Sequence, residues 1–330
     1  MAAGTLGEFG RIARFFRPLA AGFPGALNLT DDAAILNVPP GQELVLTTDA
    51  VVAGVHFLPT DAPADIARKA LRVNLSDLAA KGARPLAYTL TLATRRDTGD
   101  DWVEAFAAGL AADQAEYRIA LAGGDSVSTE GPVWASITAF GLVDAGRMVK
   151  RGGARPGDVV LVTGTIGDAA LGLMVAQGHL NVGETDRGTL VDRYRLPRPR
   201  THLAAAIGAH AHGALDVSDG LAADFGHLCR ASQVIGRIEV SRIPLSQAAG
   251  RAIQADPNLI AQVLSGGDDY EVLLTAPAAA VPELRAAATA TGIDLTEVGS
   301  IDRGNSVGEA HLIDDGGNRL RLEKSGWTHS

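Results

Sequence analysis

A chain of 330 residues, 46% hydrophobic and 20% charged, has room for two ordinary domains with full cores, which excludes a disordered protein. A formal charge of −9, with no basic region of any length, excludes a nucleic-acid backbone as partner. The single cysteine, Cys229, excludes an internal disulfide and fits a reducing, cytoplasmic setting, and no window approaches the roughly 18 apolar residues of a membrane span.

The chain begins with Leu6, Phe9, Ile12, Ala13 and Phe16 at helical spacing, interrupted by Glu8, which predicts a docked helix and not a signal peptide. Next comes "LTDDAAIL", where Asp31 and Asp32 stand before an apolar run. Alone, this pair reads as a turn or cap; drawn toward an interior, it calls for a cation nearby. Residues 43–52, 88–94 and 133–143 are β-branched runs that predict strands. Residues 61–83 carry Ile66, Ala70, Val73 and Leu78 at helical offsets, with Pro63 in the first turn and Gly82 as a stop. Residues 100–117 predict a second helix. The glycine-rich and basic stretch 146–158 marks a boundary near residue 150, giving domains 1–150 and 151–330. Strand and helix patterns then resume at 159–176, 213–232 and 261–275, and a strand-like tail ends in "SGW". This interleaving predicts a mixed α/β fold.

One feature recurs: a short apolar run ending in small polar residues and Asp. It holds Asp31 and Asp32, Asp49, Asp77, Asp125, Asp216 and Asp219, then Asp268 and Asp269. Each alone is a cap or turn residue. Repetition in both halves, with Gly-Gly before Asp125 and Asp268 where backbone can approach a ligand, points instead to an oxygen-only cation site. Such donors suit Mg²⁺ or Ca²⁺, and Mg²⁺ suggests phosphates. The Walker A pattern is absent, and "GTIGDAALG" lacks its lysine and reads as a tight turn. Asp224-Phe225-Gly226 spells a kinase motif without the rest of that motif set, so it reads as chance, with Phe225 in the core beside Leu221, Leu228 and Cys229. "RYRLPRPR" (residues 193–200) reads as a solvated connection, and His210 and His212 as loop or core residues. No Gly-x-Ser-x-Gly elbow supports acyl chemistry.

Taken together, "TDDAA", "TTDAVVAGVHF", "KALRVNLSDLAAKGARP", "LAGGD", "KRGGARPGD", "LDVSDGLAADFGHL", "SGGDDYE" and the terminal "SGW" resemble the thiamine-monophosphate kinases, relatives of aminoimidazole ribotide synthetase and selenophosphate synthetase. The resemblance runs from about Glu8 to Trp327. It implies a two-domain PurM-like α/β (mixed α+β) fold whose N-terminal domains pair in a homodimer. It also implies ATP-dependent phosphorylation of thiamine monophosphate to thiamine diphosphate, the last step in making that cofactor, with several Mg²⁺ ions. By the same resemblance Asp32, Thr47, Thr48, Asp49, Asp77, Asp125, Asp216 and Asp219 bind magnesium, and Gly124, Asp125, Arg151 and Ser218 contact ATP. His56, Asp268 and Trp327 meet thiamine phosphate, Trp327 offering an aromatic face to a cationic heterocycle. Two positions depart from the family pattern: Thr30 stands where glycine is usual, and Asp268 where glutamate is usual.

A phosphate monoester is already mostly a dianion at pH 7, so no general base is required and no nucleophile or acid–base residue is expected. The difficulty is repulsion between polyanions, which metal-held carboxylate sites relieve. Two other readings stand beside this one. The chain could be another ATP-dependent enzyme of the superfamily, like aminoimidazole ribotide synthetase, or a divalent-cation-dependent binding protein without catalysis.

Overall fold

A computed structural model describes residues 6–302, 308–322 and 326. The N-terminal segment is helical but broken: α1 (Glu8–Arg11) and α2 (Arg17–Ala20) are joined by a π-helical turn over Ile12–Phe16. The wider turn shifts the apolar register. Phe15 and Phe16 go inward together, each 6% exposed, while Phe9, expected on the buried stripe, is 84% exposed.

Two units divide the chain, Met1–Leu78 with Arg84–Gly146, and Ala79–Ala83 with Arg147–Ser330. The first is built on β1 (Gln42–Val52), α3 (Pro63–Ala80), β2 (Arg84–Arg95), α4 (Asp100–Tyr117), β3 (Ala120–Thr129) and β4 (Trp134–Asp144). Its sheet runs in the order β1-β4-β2-β3, antiparallel except for the β2–β3 pair that α4 connects. Side chains alternate across a strand. On β1, Val45 and Val51 are buried while Leu46, Thr48 and Ala50 are exposed, and β4 alternates in step, with Ala135, Ile137 and Ala139 buried. One face is therefore covered and the other left open.

Helix α3 covers the buried face. The predicted stripe Ile66, Ala70, Val73 and Leu78 is 4% exposed or less, and Leu71 and Leu75 extend it at 0%. Burying one leucine side chain is worth about 1.5–3 kcal/mol. Helix α4 is bound to α3 through a buried ion pair: the Arg72 guanidinium donates to both oxygens of Asp113, at 2.7 and 2.8 Å.

The second unit contains β5 (Val159–Thr163), α5 (Asp168–Ala176), α6 (Glu184–Arg195), α7 (Ala204–His210), β6 (Gly213–Asp216), α8 (Leu221–Ser232) and β7 (Ile235–Glu239). It continues with α9 (Gln247–Ala255), α10 (Leu259–Ser265), β8 (Val272–Ala276), α11 (Val281–Ala290), β9 (Leu295–Ile301) and β10 (Glu309–Ile313). Its six strands run β10-β7-β9-β5-β8-β6. Both faces of this sheet are buried. Val160 and Val162 face a core with Phe225 and Leu228, and Leu161 between them faces a second core with Leu203, Ile207 and Leu284. Phe225 is 0% exposed, as its helical spacing predicts. No helix among the described residues is long and apolar enough to cross a membrane.

Candidate active site

In the first unit, Thr47, Thr48 and Asp49 are consecutive on β1, so they do not point the same way. Thr47 and Asp49 face α3, where the Thr47 hydroxyl donates to Asp77 at 2.5 Å. Thr48 faces the open side, accepting a hydrogen bond from Thr138 at 3.0 Å. Protein atoms crowding the carboxyl, with the Asp77 carboxylate beside it, push Asp49 up to about 6. Two carboxylates this close repel, and an oxygen-only pair with a hydroxyl is a donor set that fits a hard divalent cation.

The loop before β1 and the start of β3 border a cavity of about 640 Å³. It brings together Asp31, Asp32, Gly124 and Asp125 with an apolar wall of Phe9, Ile12 and Phe16, and Arg17 lies at its rim. Asp31 and Asp32 are not equivalent: the Asp31 carboxylate accepts the Asp32 N–H at 2.8 Å. Asp125 likewise accepts the Ser126 N–H at 2.8 Å. The sheet register aligns Asp49, Ile137, Leu90 and Gly124 in one row, with Asp125 in the next. Three strand spacings, roughly 14 Å along the sheet, therefore separate Asp49 from Asp125. Among the described residues, no group of three or more His, Cys, Asp or Glu side chains is gathered closely enough to hold a metal.

The loop before Asp32 also settles what Thr30 does. Its φ is −116°, which a β-branched residue adopts without strain. The left-handed turn lies earlier, at Leu27, Asn28 and Leu29, with φ of 50°, 58° and 54°. The Thr30 hydroxyl closes this turn by donating to the Leu27 carbonyl at 2.7 Å.

His56 follows β1 in a turn, its ring Nδ1 accepting the Val52 N–H at 3.1 Å. A neutral His56 therefore carries its proton on Nε2.

In the second unit, Asp216 ends β6 and leads through Ser218, Asp219 and Gly220 into α8. The ladder between β6 and β8 continues beyond both strands. Val217 N–H donates to Glu271, Tyr270 N–H to Val217 and Asp268 N–H to Ser218, at 2.8, 2.8 and 2.9 Å. Asp216, Ser218, Asp219 and Asp268 are thereby joined in one structure. Asp268 and Tyr270 both have positive φ, 73° and 50°. Aspartate accepts such a backbone more readily than most residues, which is a local reason for the shorter acid here.

Gly-Gly before Asp has a reason other than ligand approach. A Cβ on Gly267 would lie 2.1 Å from the Ser218 carbonyl, and one on Gly124 1.9 Å from that of Leu90. In both places glycine admits a neighbouring backbone segment of the protein itself. Gly326 lies beside the same turn, its Cβ direction 2.8 Å from the Asp219 carbonyl, while Trp327 lies outside the described residues. Arg151, in a short 3₁₀ turn, is exposed, and its charge reaches Asp224 and His227.

Several residues went unrecognised in the sequence. Arg193 and Arg200 in "RYRLPRPR" are not part of a solvated connection. Both turn inward onto Glu271, which is 0% exposed: Arg193 donates at 2.7 Å and Arg200 Nε at 2.6 Å, and the Thr163 hydroxyl donates to the same carboxylate. Asp269 beside them accepts the Gly167 and Ala169 N–H groups at the start of α5, at 2.7 and 3.2 Å. Burial pushes Asp269 up to about 8 against those hydrogen bonds and the Arg193 charge. Arginines among prolines give no sequence signal for burial, because only the fold brings Glu271 to them. Asp224, set aside with the chance kinase motif, is 3% exposed, and burial followed by repulsion from Asp219 pushes it up to about 7.

Both halves match one family. Residues 30–143 match the N-terminal domain of AIR synthase related protein, and residues 155–311 match its C-terminal domain. Fold and sequence thus define a two-domain protein of the AIR synthase-related class. A thiamine-monophosphate kinase of Caulobacter vibrioides is 43% identical over 98% of this chain and 90% of its own length. The solved structure of the thiamine-monophosphate kinase of Stenotrophomonas maltophilia K279a is 38% identical, with a TM-score of 0.83 over 96% of this chain and 99% of its own. AaThiL, solved in complex with AMPPCP and TMP, is 30% identical with a TM-score of 0.77, each chain covered in full. The chain belongs to the thiamine-monophosphate kinase family.

Proposed function

We propose that the chain transfers the γ-phosphoryl group of ATP to the phosphate of thiamine monophosphate, giving thiamine diphosphate and ADP. The observation that carries this reading is the 43% identity to a thiamine-monophosphate kinase over nearly the whole chain. The composition of the site supports it, with many carboxylates, an arginine for phosphate oxygens, and no need for a base at a dianionic acceptor.

Residues 1–150 are assigned as the ATP- and magnesium-binding and dimerisation domain, and residues 151–330 as the C-terminal α/β domain. Phe9, Ile12 and Phe16 suit a purine and Gly124 and Asp125 suit phosphates; Arg151 and Ser218 are likewise assigned to ATP. The His56 Nε2–H suits a substrate oxygen, Asp268 suits the cationic heterocycle, and Trp327 is assigned the aromatic face. Asp32, Thr47, Thr48, Asp49, Asp77, Asp125, Asp216 and Asp219 would hold magnesium. When bound, magnesium neutralises phosphate charge and charge developing in the transition state. The open face of the first sheet, with Leu46 61% exposed, supports pairing of N-terminal units in a homodimer.

Incubation with Mg-ATP and thiamine monophosphate tests the reading: thiamine diphosphate and ADP are expected in equal amounts. ADP release without thiamine diphosphate overturns it. Transfer is direct and in line, so labelled ATP alone leaves no label on the protein; a trapped phosphoprotein would refute that step.

A further inference from the structure

Asp224 lies at the fourth position of α8, turned back toward the helix start. One of its oxygens, Oδ2, accepts the backbone N–H of Ser218 and of Asp219, each at 3.0 Å. Those are the two residues of this turn assigned to ATP and to magnesium.

Other backbone contacts fix the two sides of this turn, but Asp224 Oδ2 is the side-chain acceptor that holds its two N–H groups. Gly220 has a φ of 114° and a ψ of 146°, a conformation outside the ordinary range of other residues, and a Cβ there would meet Ser265 at 2.7 Å. The Ser218 carbonyl is held from the opposite side by the Asp268 N–H at 2.9 Å. Asp224, Ser218 and Asp268 thus form one chain of hydrogen bonds from helix α8, through the nucleotide turn, to the acid assigned to the thiamine moiety. Asp224 is itself 3% exposed, so it is held in place by the core around Phe225 and Leu228.

We propose that Asp224 is a positioning residue: by accepting two N–H groups on one oxygen it orients Ser218 and Asp219 for the nucleotide and, through the Ser218 carbonyl, sets the placement of Asp268. This rests on the kinase reading above. The role requires an acceptor at Oδ2 and not a charge, which separates it from magnesium ligation. An asparagine side-chain oxygen keeps both hydrogen bonds; alanine and leucine keep neither.

The test compares wild type with Asp224→Ala, Asp224→Leu and Asp224→Asn, each checked for folding by circular dichroism and thermal midpoint. The readouts are the Kd for a non-hydrolysable ATP analogue with Mg²⁺, and kcat and KM for both substrates. Misplacement of binding groups costs up to about 100-fold, so folded Asp224→Ala and Asp224→Leu are expected to lose about 10- to 100-fold in analogue affinity and in kcat/KM. Asp224→Asn is expected to recover most of that loss. A folded Asp224→Ala or Asp224→Leu that binds the analogue like wild type overturns the proposal, as does an Asp224→Asn as weak as Asp224→Ala. If neither alanine nor leucine variant folds, Asp224→Asn decides: retained affinity upholds the proposal and lost affinity overturns it. Wild type that binds the analogue but makes no thiamine diphosphate would refute the kinase reading and leave the affinity comparison intact.

Discussion

Leaving aside the buried Asp113–Arg72 pair between α3 and α4, the acids near the candidate site differ between the two units. In the first, Asp31, Asp32, Asp49 and Asp125 are exposed, and their neighbours are hydroxyls, backbone N–H groups or other carboxylates. In the second, Asp224, Asp269 and Glu271 are 3%, 1% and 0% exposed, each bound by backbone N–H groups, arginines or a hydroxyl. The four open acids remain available to a ligand, whereas these three are consumed by the protein's own groups. Clustering of Asp in sequence does not distinguish the two.

The largest effect expected from breaking this contrast is on stability in the second unit. Glu271→Ala leaves Arg193 and Arg200 without their carboxylate in the interior. Removing one member of such a group costs about 3–5 kcal/mol, read as a lower urea midpoint at unchanged slope. A loss under about 1 kcal/mol would mean the arginines escape to water and the cluster is not structural.

The first unit is expected to respond in activity instead. Asp32→Asn should cost about 100-fold or more in kcat, equivalent to about 2.7 kcal/mol, while stability changes by no more than about 0.5 kcal/mol. Asp31→Asn should be far milder, because the side-chain oxygen of asparagine still accepts the Asp32 N–H. Equal losses would place the ligand role on both acids.

A pH comparison sharpens the contrast. Asp269 holds its proton up to about 8 in the folded protein and releases it near 4 when unfolded. Between those values the folded state binds the extra proton, so this group adds stability as pH falls from 8 toward 4 and loses it as pH rises through 8. Asp269→Asn lacks that dependence. The stability difference, wild type minus variant, should therefore grow from pH 8 to pH 5 in urea titrations. A difference that is flat with pH would mean that Asp269 stays ionised.

Most elements were legible because their periodicity or bounding residues were strong. The helix at 100–117, the strands at 43–52 and 133–143 and the stop at Gly82 all lie where the pattern predicts. The N-terminal helix was misjudged because a π-turn changes the spacing midway, and periodicity assumes one helix throughout. Arg193 and Arg200 were misjudged for a different reason: their partner, Glu271, is more than 70 residues away. Asp224 was hidden because its task is to bind backbone, and backbone carries no sequence signal. Gly124 and Gly267 stood out in the sequence, and the structure adds a second reason for glycine at each: the close approach of the protein's own backbone.

The smallest expected effect concerns the loop that delivers Asp32. A glycine at position 30 would be favourable only if φ there were positive, and it is −116°. Thr30→Gly should therefore cost about 0.5–1 kcal/mol through unfolded-state entropy, with the lost hydroxyl contact to Leu27 adding to it. Leu27, by contrast, is held at φ 50° and is 37% exposed, so its side chain forfeits little burial on removal. A left-handed non-glycine residue costs roughly 1–2 kcal/mol, which glycine relieves at an entropic cost of about 0.5–1 kcal/mol. Leu27→Gly should thus range from neutral to about 1.5 kcal/mol stabilising, whereas Thr30→Gly destabilises. Thermal midpoints of the two variants decide between the positions: a gain for Thr30→Gly with a loss for Leu27→Gly would put the left-handed turn at Thr30, one residue before the acid pair.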